Sequence, residues 1–186
     1  MNATRYSKAD VLGAAMRLLE EVGLPDFTMR KLAASLDLQP SAIYWHFESK
    51  QELLAEISNT IVAFSKQVDK HSDWRINATA EALAFRDALL AFRDGAEIVS
   101  STLALGLGAN GFLERIFGAI EVDDQKLRVA AAKSIQFLVL GQVWHEQQRM
   151  QANSLGVVDN LDDIDSSGLS IGIQLILDGI NERVTK

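Results

Sequence analysis

Residues 27–50 read Phe-Thr-Met-Arg-Lys-Leu-Ala-Ala-Ser-Leu-Asp-Leu-Gln-Pro-Ser-Ala-Ile-Tyr-Trp-His-Phe-Glu-Ser-Lys. Met29, Leu32, Ala33 and Leu36 recur at helical spacing, so a first short helix has one apolar face. Thr28 precedes it as a cap, its hydroxyl able to accept a hydrogen bond from an otherwise unpaired backbone N–H. The pattern breaks at Asp37-Leu38 and restarts at Gln39-Pro40, where proline suits the first turn of a second helix. Ile43 and Phe47, four apart, turn that helix inward and leave Ser41, Tyr44, Trp45 and His46 pointing elsewhere. Two short helices joined by a tight turn, the second carrying exposed aromatic and hydrogen-bonding side chains, suit a DNA major groove. A helical bundle without a ligand has the same periodicity but rarely leaves two large aromatics uncovered. The stretch reads as a helix-turn-helix.

The chain of 186 residues is 48% apolar, enough for one large domain or two small ones sharing a core. It has no cysteine, which excludes disulfides, thiol nucleophiles and thiolate zinc sites. Its three histidines, His46, His71 and His145, leave few ligands for a transition metal. The first residues lack the apolar core of a signal peptide. The apolar run at 137–141 falls far short of the ~20 residues that span a bilayer. A cytoplasmic protein that contacts no membrane is expected. The net charge of −7 is unevenly spread: residues 1–50 carry six basic and six acidic side chains, so the acidity belongs to the remainder. Arg30, Lys31, His46 and Lys50 form a modest basic patch near the second short helix.

Before the motif, Val11, Leu12, Ala15, Leu18, Leu19 and Val22 describe an amphipathic helix from Ser7 to Gly23. After it, Ser49-Lys-Gln-Glu52 has the form of a capping box that opens a long helix, 49–71, through Leu53, Leu54, Ile57, Ile61, Phe64 and Val68. Asp73 or Asn77 starts the next helix, with Ala80, Leu83, Ala84, Asp87, Leu90 and Ala91 along one side and its end near Asp94-Gly95. Residues 98–103 have strand-like composition without a partner strand, and Gly106-Leu-Gly-Ala-Asn-Gly111 spells GxGxxG. A dinucleotide site needs a strand before that string and further βα units after it, so a flexible connection that rearranges around a ligand is expected instead. Asp123-Asp124 opens a helix that runs to about Met150 and is apolar on more than one side. Acids at 159, 162, 163 and 165 lack the spacing of a calcium loop. The last helix, 168–183, contains GxSxG at Gly168-Leu-Ser-Ile-Gly172, but no histidine follows Ser170 to complete a triad. Gly168 and Gly172 read as small residues for close helix approach. Ile171, Leu175, Ile176, Gly179 and Ile180 read as a wide apolar face, for a partner subunit or for the chain's own core.

Leu18-Leu-Glu-Glu-Val-Gly23, Thr28-Met-Arg-Lys-Leu-Ala33 and Ile43-Tyr-Trp-His-Phe47 with the trailing Lys50 resemble the N-terminal domain of the TetR family of transcriptional regulators. Ala88-Leu-Leu-Ala-Phe-Arg-Asp-Gly-Ala96 resembles part of that family's ligand domain, and both segments are closest to its tetracycline repressor branch. The resemblance implies an all-α protein: a helix-turn-helix DNA-binding domain at 1–48, and a helical ligand-binding and dimerisation domain at 49–186, linked by helix 49–71. It implies a homodimeric repressor whose last two helices pair with those of a second copy. The dimer reads a palindromic double-stranded DNA operator at half-sites ~34 Å apart, and a small-molecule inducer releases it.

By the same resemblance, Thr28, Ser41, Tyr44, His46 and Lys50 position the DNA backbone, while Arg30 and the surface from Gln39 and Pro40 to Trp45 contact bases. The Arg30 fork matches guanine O6 and N7, and the alternative for it is a surface ion pair with Asp26 or Glu48. Phe85 and Thr102 match drug-pocket positions. Val99 stands where a metal-binding histidine is expected, Glu81 replaces an asparagine and Lys66 a histidine, and His145 stands near a metal-associated glutamate position of the partner subunit. A magnesium–drug complex is therefore not expected, and no metal or cofactor is implied. An apolar or aromatic ligand touching Phe85, Phe92, Thr102, Phe137, Trp144 and His145 is expected instead. Neither catalytic-looking string meets its structural context, so no enzyme is expected. A helical interaction module, or an activator without a small-molecule inducer, stays open as the alternative.

Overall fold

Side-chain caps set most of the helix starts in the computed structural model, which describes residues 6–157 and 166–184. The Ser7 hydroxyl accepts the Asp10 N–H at 3.2 Å, and the Asp10 carboxylate accepts the Ser7 N–H at 2.7 Å, opening α1 (Lys8–Asp26). Hydrogen bonds from the Ser7 side chain and backbone hold the Asp10 carboxyl below its ordinary pKa. The regular part of α1 stops at Gly23, whose φ of 75° kinks the chain ahead of Pro25. Thr28 caps α2 (Met29–Ser35), and Pro40 occupies the first turn of α3 (Pro40–Tyr44). Ser49 caps α4 (Lys50–Ala63), Asp73 caps α5 (Trp74–Leu90), and Asp124 caps α8 (Gln125–Ser154). Between these lie α6 (Gly95–Ala104) and α7 (Asn110–Ala119), and the last element is α9 (Ser166–Val184). Every element among the described residues is a helix.

One continuous apolar cluster runs through the molecule. Val11, Phe27, Leu32, Ile43 and Phe47 of the first three helices join Leu53, Ile57 and Ile61 of α4, which in turn meet Phe85, Ile98, Phe112 and Val139. Helix α4 packs on α1 at one end and on α5, α6 and α7 further along, so it connects the helix-turn-helix to the rest. Helix α8 packs against α5, α6, α7 and α9. This agrees with its expected burial on more than one side.

Several expectations are corrected. The helix begun at Ser49 ends at Ala63, eight residues short of 71, because the Arg115 guanidinium of α7 takes the carbonyls of Ser65 and Lys66 at 3.2 and 2.7 Å. In a continuing helix those carbonyls would accept from the backbone four residues on. The Ser49 cap bonds Glu52 N–H as expected, but the Glu52 carboxylate returns to the Glu48 N–H at 2.7 Å, one residue earlier than a capping box requires. Helix α5 ends at Leu90, before Asp94-Gly95, and buries Ala78, Ala82, Phe85, Ala88 and Leu89, while Asp87 faces solvent. The strand-like run 98–103 is helical, in α6. The connection at 106–109 is pinned rather than loose. The Asn59 carboxamide oxygen accepts the Ala109 N–H at 2.8 Å, and a Cβ on Gly108 would lie 2.8 Å from the Ala55 carbonyl oxygen. Ser170 sits inside α9, not on a strand-to-helix elbow. Gly172 does meet Leu138 closely, whereas nothing approaches Gly168. The inner face of α9 is Leu169, Ile173, Leu177 and Ile180, and Ile171 and Leu175 face outward. The acids at 159, 162, 163 and 165 lie outside the described residues.

Gly95 opens α6 against the end of α5, and a Cβ there would stand 2.3 Å from the Leu89 carbonyl oxygen. Backbone cannot yield as a flexible side chain would. Gly95→Ala is expected to destabilise the protein by about 2–3 kcal/mol in urea unfolding. Gly118→Ala in α7, where nothing lies within 4 Å, is expected to stabilise it by roughly 0.5–1 kcal/mol.

Candidate nucleic-acid interface

The turn between α2 and α3 fixes how α3 is presented. Asp37 takes the left-handed conformation at φ 55°, and the Leu38 and Asp37 N–H groups bond the Ala33 and Ala34 carbonyls at 2.9 and 3.1 Å. This pairing closes the end of α2 and reverses the chain within three residues. Ile43 and Phe47 are fully buried against α1 and α2, while Trp45 is 85% exposed and Tyr44 about half exposed. Helix α3 and the turn that follows it, 45–47, are therefore anchored by one side and offer the other. Gln39 and Ser41 are exposed, Pro40 and His46 half-buried.

The cations around α3 are not equivalent. Lys31 pairs with Asp26 at 3.5 Å across an exposed gap. Arg30 is exposed, and no described carboxylate pairs with it, so the ion pair with Asp26 or Glu48 does not form. Lys50 donates to the Phe27 carbonyl at 2.7 Å and lies over the Phe27 ring, 5.4 Å from its centroid. Burial lowers its pKa. Lys50 thus ties the start of α4 to the residue just before α2, a task the sequence did not announce, and keeps two N–H donors for another partner. The Thr28 oxygen is used as the α2 cap, accepting the Lys31 N–H at 3.1 Å. Its own hydroxyl proton can still be donated. Thr28, Arg30, Gln39, Ser41, Tyr44 and Trp45 are exposed, and Pro40, His46 and Lys50 are half-buried.

The residues expected to contact a ligand are not brought together in the same way. Phe85 is fully buried and stacks on Phe112 with centroids 3.8 Å apart. Val99 is fully buried. The buried Thr102 hydroxyl is engaged by the Ser58 hydroxyl at 2.9 Å and the Ile98 and Val99 carbonyls at 3.1 and 3.0 Å. Glu81 pairs with Arg115, and Lys66 lies exposed beyond α4. Phe92 packs edge-on against Phe64, and His145 faces solvent. Phe137 and Trp144, by contrast, project from α8 into an open groove of about 440 Å³ beside α6, with Glu97, Ser100, Ala104 and Gly141.

A contact between the two halves of the chain escaped the sequence altogether. The turn Arg93-Asp94-Gly95 meets the end of α1. The Arg93 guanidinium donates to the Glu20 and Glu21 carbonyls at 3.0 and 3.1 Å, and its backbone N–H to the Glu20 carboxylate at 2.9 Å. The Asp94 carboxylate accepts the Leu24 N–H at 2.7 Å. These bonds satisfy terminal carbonyls that a helix cannot pair internally. Arg93 and Asp94 stood out only as a resemblance, with no spacing that would place them against residues seventy positions earlier.

Residues 11–57 match the model for bacterial regulatory proteins of the tetR family. The chain is similar to the class G tetracycline repressor of Vibrio anguillarum, 39% identical over 53% of this chain and 49% of that protein. It thus spans about half the length of the first curated relatives it matches. It is also similar to the class E tetracycline repressor of Escherichia coli, 33% identical over 83% of this chain and 75% of that protein. Among solved structures it resembles Mycobacterium smegmatis BioQ, with 35% identity, a TM-score of 0.85 and coverage of 95% of this chain and 98% of that one. BioQ bound to its natural double-stranded DNA operator superposes with a TM-score of 0.78 at 34% identity, over the same shares of the two chains. A variant TetR from Acinetobacter baumannii AYE in complex with minocycline also superposes with a TM-score of 0.78, at 30% identity, covering 98% of this chain and all of that one.

The two faces of α3 are separable by stability alone. Trp45→Ala is expected to leave unfolding free energy within about 0.5 kcal/mol of the parent. Ile43→Ala is expected to cost roughly 2–5 kcal/mol in the same urea titration. A large loss from Trp45→Ala would mean that the ring serves packing.

Proposed function

The chain belongs to the TetR family of bacterial transcriptional regulators, and on that footing we propose that it is a homodimeric, ligand-responsive repressor of a palindromic operator. The observation that carries the DNA-binding part is the divided surface of α3. Ile43 and Phe47 are sealed into the core, and Tyr44 and Trp45 are left outside beside an unpaired Arg30. Arg30 offers a planar fork to guanine, and Trp45 offers an apolar edge to a thymine methyl. Tyr44, Ser41, Thr28, His46 and the remaining donors of Lys50 serve phosphate oxygens, fixing register without reading sequence. DNA bound to the relative BioQ supports this reading.

Dimerisation is assigned to α8 and α9. Phe137 and Trp144 of α8 and Ile171 and Leu175 of α9 are large apolar side chains left about half or more exposed. Such a concentration on two adjacent helices is unusual for a monomer. A second copy related by a two-fold axis covers Ile171 and Leu175 and roofs the groove between Phe137 and Trp144 without filling it, and it presents two α3 helices to half-sites ~34 Å apart.

The effector is assigned to the α6–α8 groove. Its floor is Gly141, its ends are Phe137 and Trp144, and its α6 wall is small and polar, with Glu97 at one end. An apolar or aromatic molecule with a hydrogen-bond donor suits it. Phe85, Val99 and Thr102 are buried, and an aliphatic Val99 supplies no metal ligand. For repression to be relieved, the molecule must bind the DNA-incompetent dimer more tightly than the competent one.

A mobility-shift titration of the DNA upstream of the gene tests the first part. A sequence-selective complex is expected whose affinity falls with salt at a slope of about −0.9 per phosphate neutralised. Arg30→Ala is expected to lose about 1–3 kcal/mol and to relax preference at one base pair of each half-site. Absence of any selective complex from the parent protein would contradict the proposal. For the effector, hydrophobic drugs are expected to change tryptophan emission in the parent and not in Trp144→Phe. An unchanged response in that variant would move the site elsewhere.

A further inference from the structure

We propose that Gln147 is a positioning residue that transmits the setting of α8 to the helix-turn-helix through the Arg93-Asp94-Gly95 turn. The proposal rests on the regulator reading for its purpose, but its geometry stands independently of DNA.

Three helix ends converge on that turn, and the start of α6 has no side-chain cap of its own. The last carbonyls of α5 and the first N–H groups of α6 have no partners within their helices. Asp94 is the N-cap residue of α6, yet it makes no side-chain cap there, because its carboxylate is turned outward to the Leu24 N–H of α1. Gln147, reaching in from α8, caps the α6 start and adds a second donor to two carbonyls at the α5 end. Its amide nitrogen donates to the Leu89 and Phe92 carbonyls at 3.1 and 2.9 Å, and its amide oxygen accepts the Ala96 N–H at 3.1 Å. Two carbonyls and one N–H admit only this orientation of the carboxamide. Leu89 and Ala96 are buried, so water cannot easily replace these bonds.

One carboxamide therefore holds both sides of the turn whose other surface grips α1. Release of Gln147 leaves the Ala96 N–H without a partner and the Leu89 and Phe92 carbonyls with only the turn's own Phe92 and Gly95 N–H groups, at 3.4 and 3.0 Å, so a shift of the turn moves Arg93 and Asp94 relative to Glu20, Glu21 and Leu24. Trp144, at the end of the effector groove, lies one helical turn before Gln147 on α8. A rotation of α8 that accommodates a ligand or a changed dimer contact displaces Gln147 with it. Glutamate at this position keeps the acceptor for Ala96 but sets a carboxylate against two carbonyls. Leucine removes all three bonds with little change in volume.

Hydrogen exchange of the full-length protein without DNA tests the inference. In Gln147→Leu, exchange of the Leu24 amide and its neighbours at 20–27 is expected to rise about tenfold, the scale of losing a buried hydrogen-bond network, while α3 and α9 stay unchanged. Gln147→Glu is expected to raise it at least as far. The effect is expected to be absent when Arg93→Ala is already present, since the relay is then cut downstream. Unchanged exchange at 20–27, a uniform rise over every helix, or full additivity with Arg93→Ala would each overturn the relay. If the parent protein binds no operator while Leu24 still responds to Gln147, the relay stands and the DNA reading fails.

Discussion

The grip of the Arg93-Asp94-Gly95 turn on the C-terminal end of α1 is the constraint on which the rest of this molecule depends. Helix ends expose carbonyls and N–H groups that must find partners, and here three ends solve the problem together. Arg93 takes the Glu20 and Glu21 carbonyls, and Asp94 takes the Leu24 N–H. Asp94 reaches that position only in the left-handed conformation, at φ 56°, a backbone state that costs an aspartate less than most residues. Gly95 follows because the chain then runs against the Leu89 carbonyl, where no side chain fits. The placement of α1, and with it the α2–α3 unit packed on it, is thus set by a turn between α5 and α6, seventy residues later in the chain.

Helix α4 supplies the second connection and is held at both ends by charged side chains from elsewhere. Lys50 secures its start to the Phe27 carbonyl, and Arg115 closes its finish on Ser65 and Lys66. Along its length Ser58 bonds Thr102, and Asn59 bonds the Ala109 N–H. Movement of α6 or the α6–α7 turn is therefore carried into α4 through hydrogen bonds rather than through apolar contact alone. Lys8 adds exposed ion pairs to Glu52 and Glu56 at 3.7 and 3.6 Å, which align α1 with α4 but contribute little energy.

Much of this was legible in the sequence, and the limits have physical causes. Apolar spacing and the caps Ser7, Thr28 and Ser49 announced three helix starts, and two more were narrowed to Asp73 or Asn77 and to Asp123-Asp124, because those signals are local. The divided face of α3 followed from Ile43 and Phe47. The end of α4 was illegible because Arg115, fifty residues later, decides it. Ile98–Leu103 had only a strand-like composition to go by, because a short apolar run rich in β-branched residues carries no distinguishing period. The outward Ile171 and Leu175 were grouped with inward residues of α9, since a helix apolar on two sides does not reveal which side meets its own chain. The ligand candidates dispersed for a related reason. Phe85, Val99 and Thr102 matched by position, but whether such residues line a space or fill it depends on neighbours such as Phe112.

The central claim is that two copies set their α3 helices at the spacing of successive major grooves and that the sensing end alters this spacing. The absence of cysteine allows one Ser35→Cys substitution, on the exposed end of α2, to carry a spin label cleanly. Pulsed dipolar spectroscopy on the full-length protein bound to operator DNA is predicted to give a single separation, set by the ~34 Å half-site spacing and the offset of each label from α3. A ligand that releases DNA is predicted to shift or broaden it. No dipolar signal, or a separation unchanged by a ligand that releases DNA, would contradict the account.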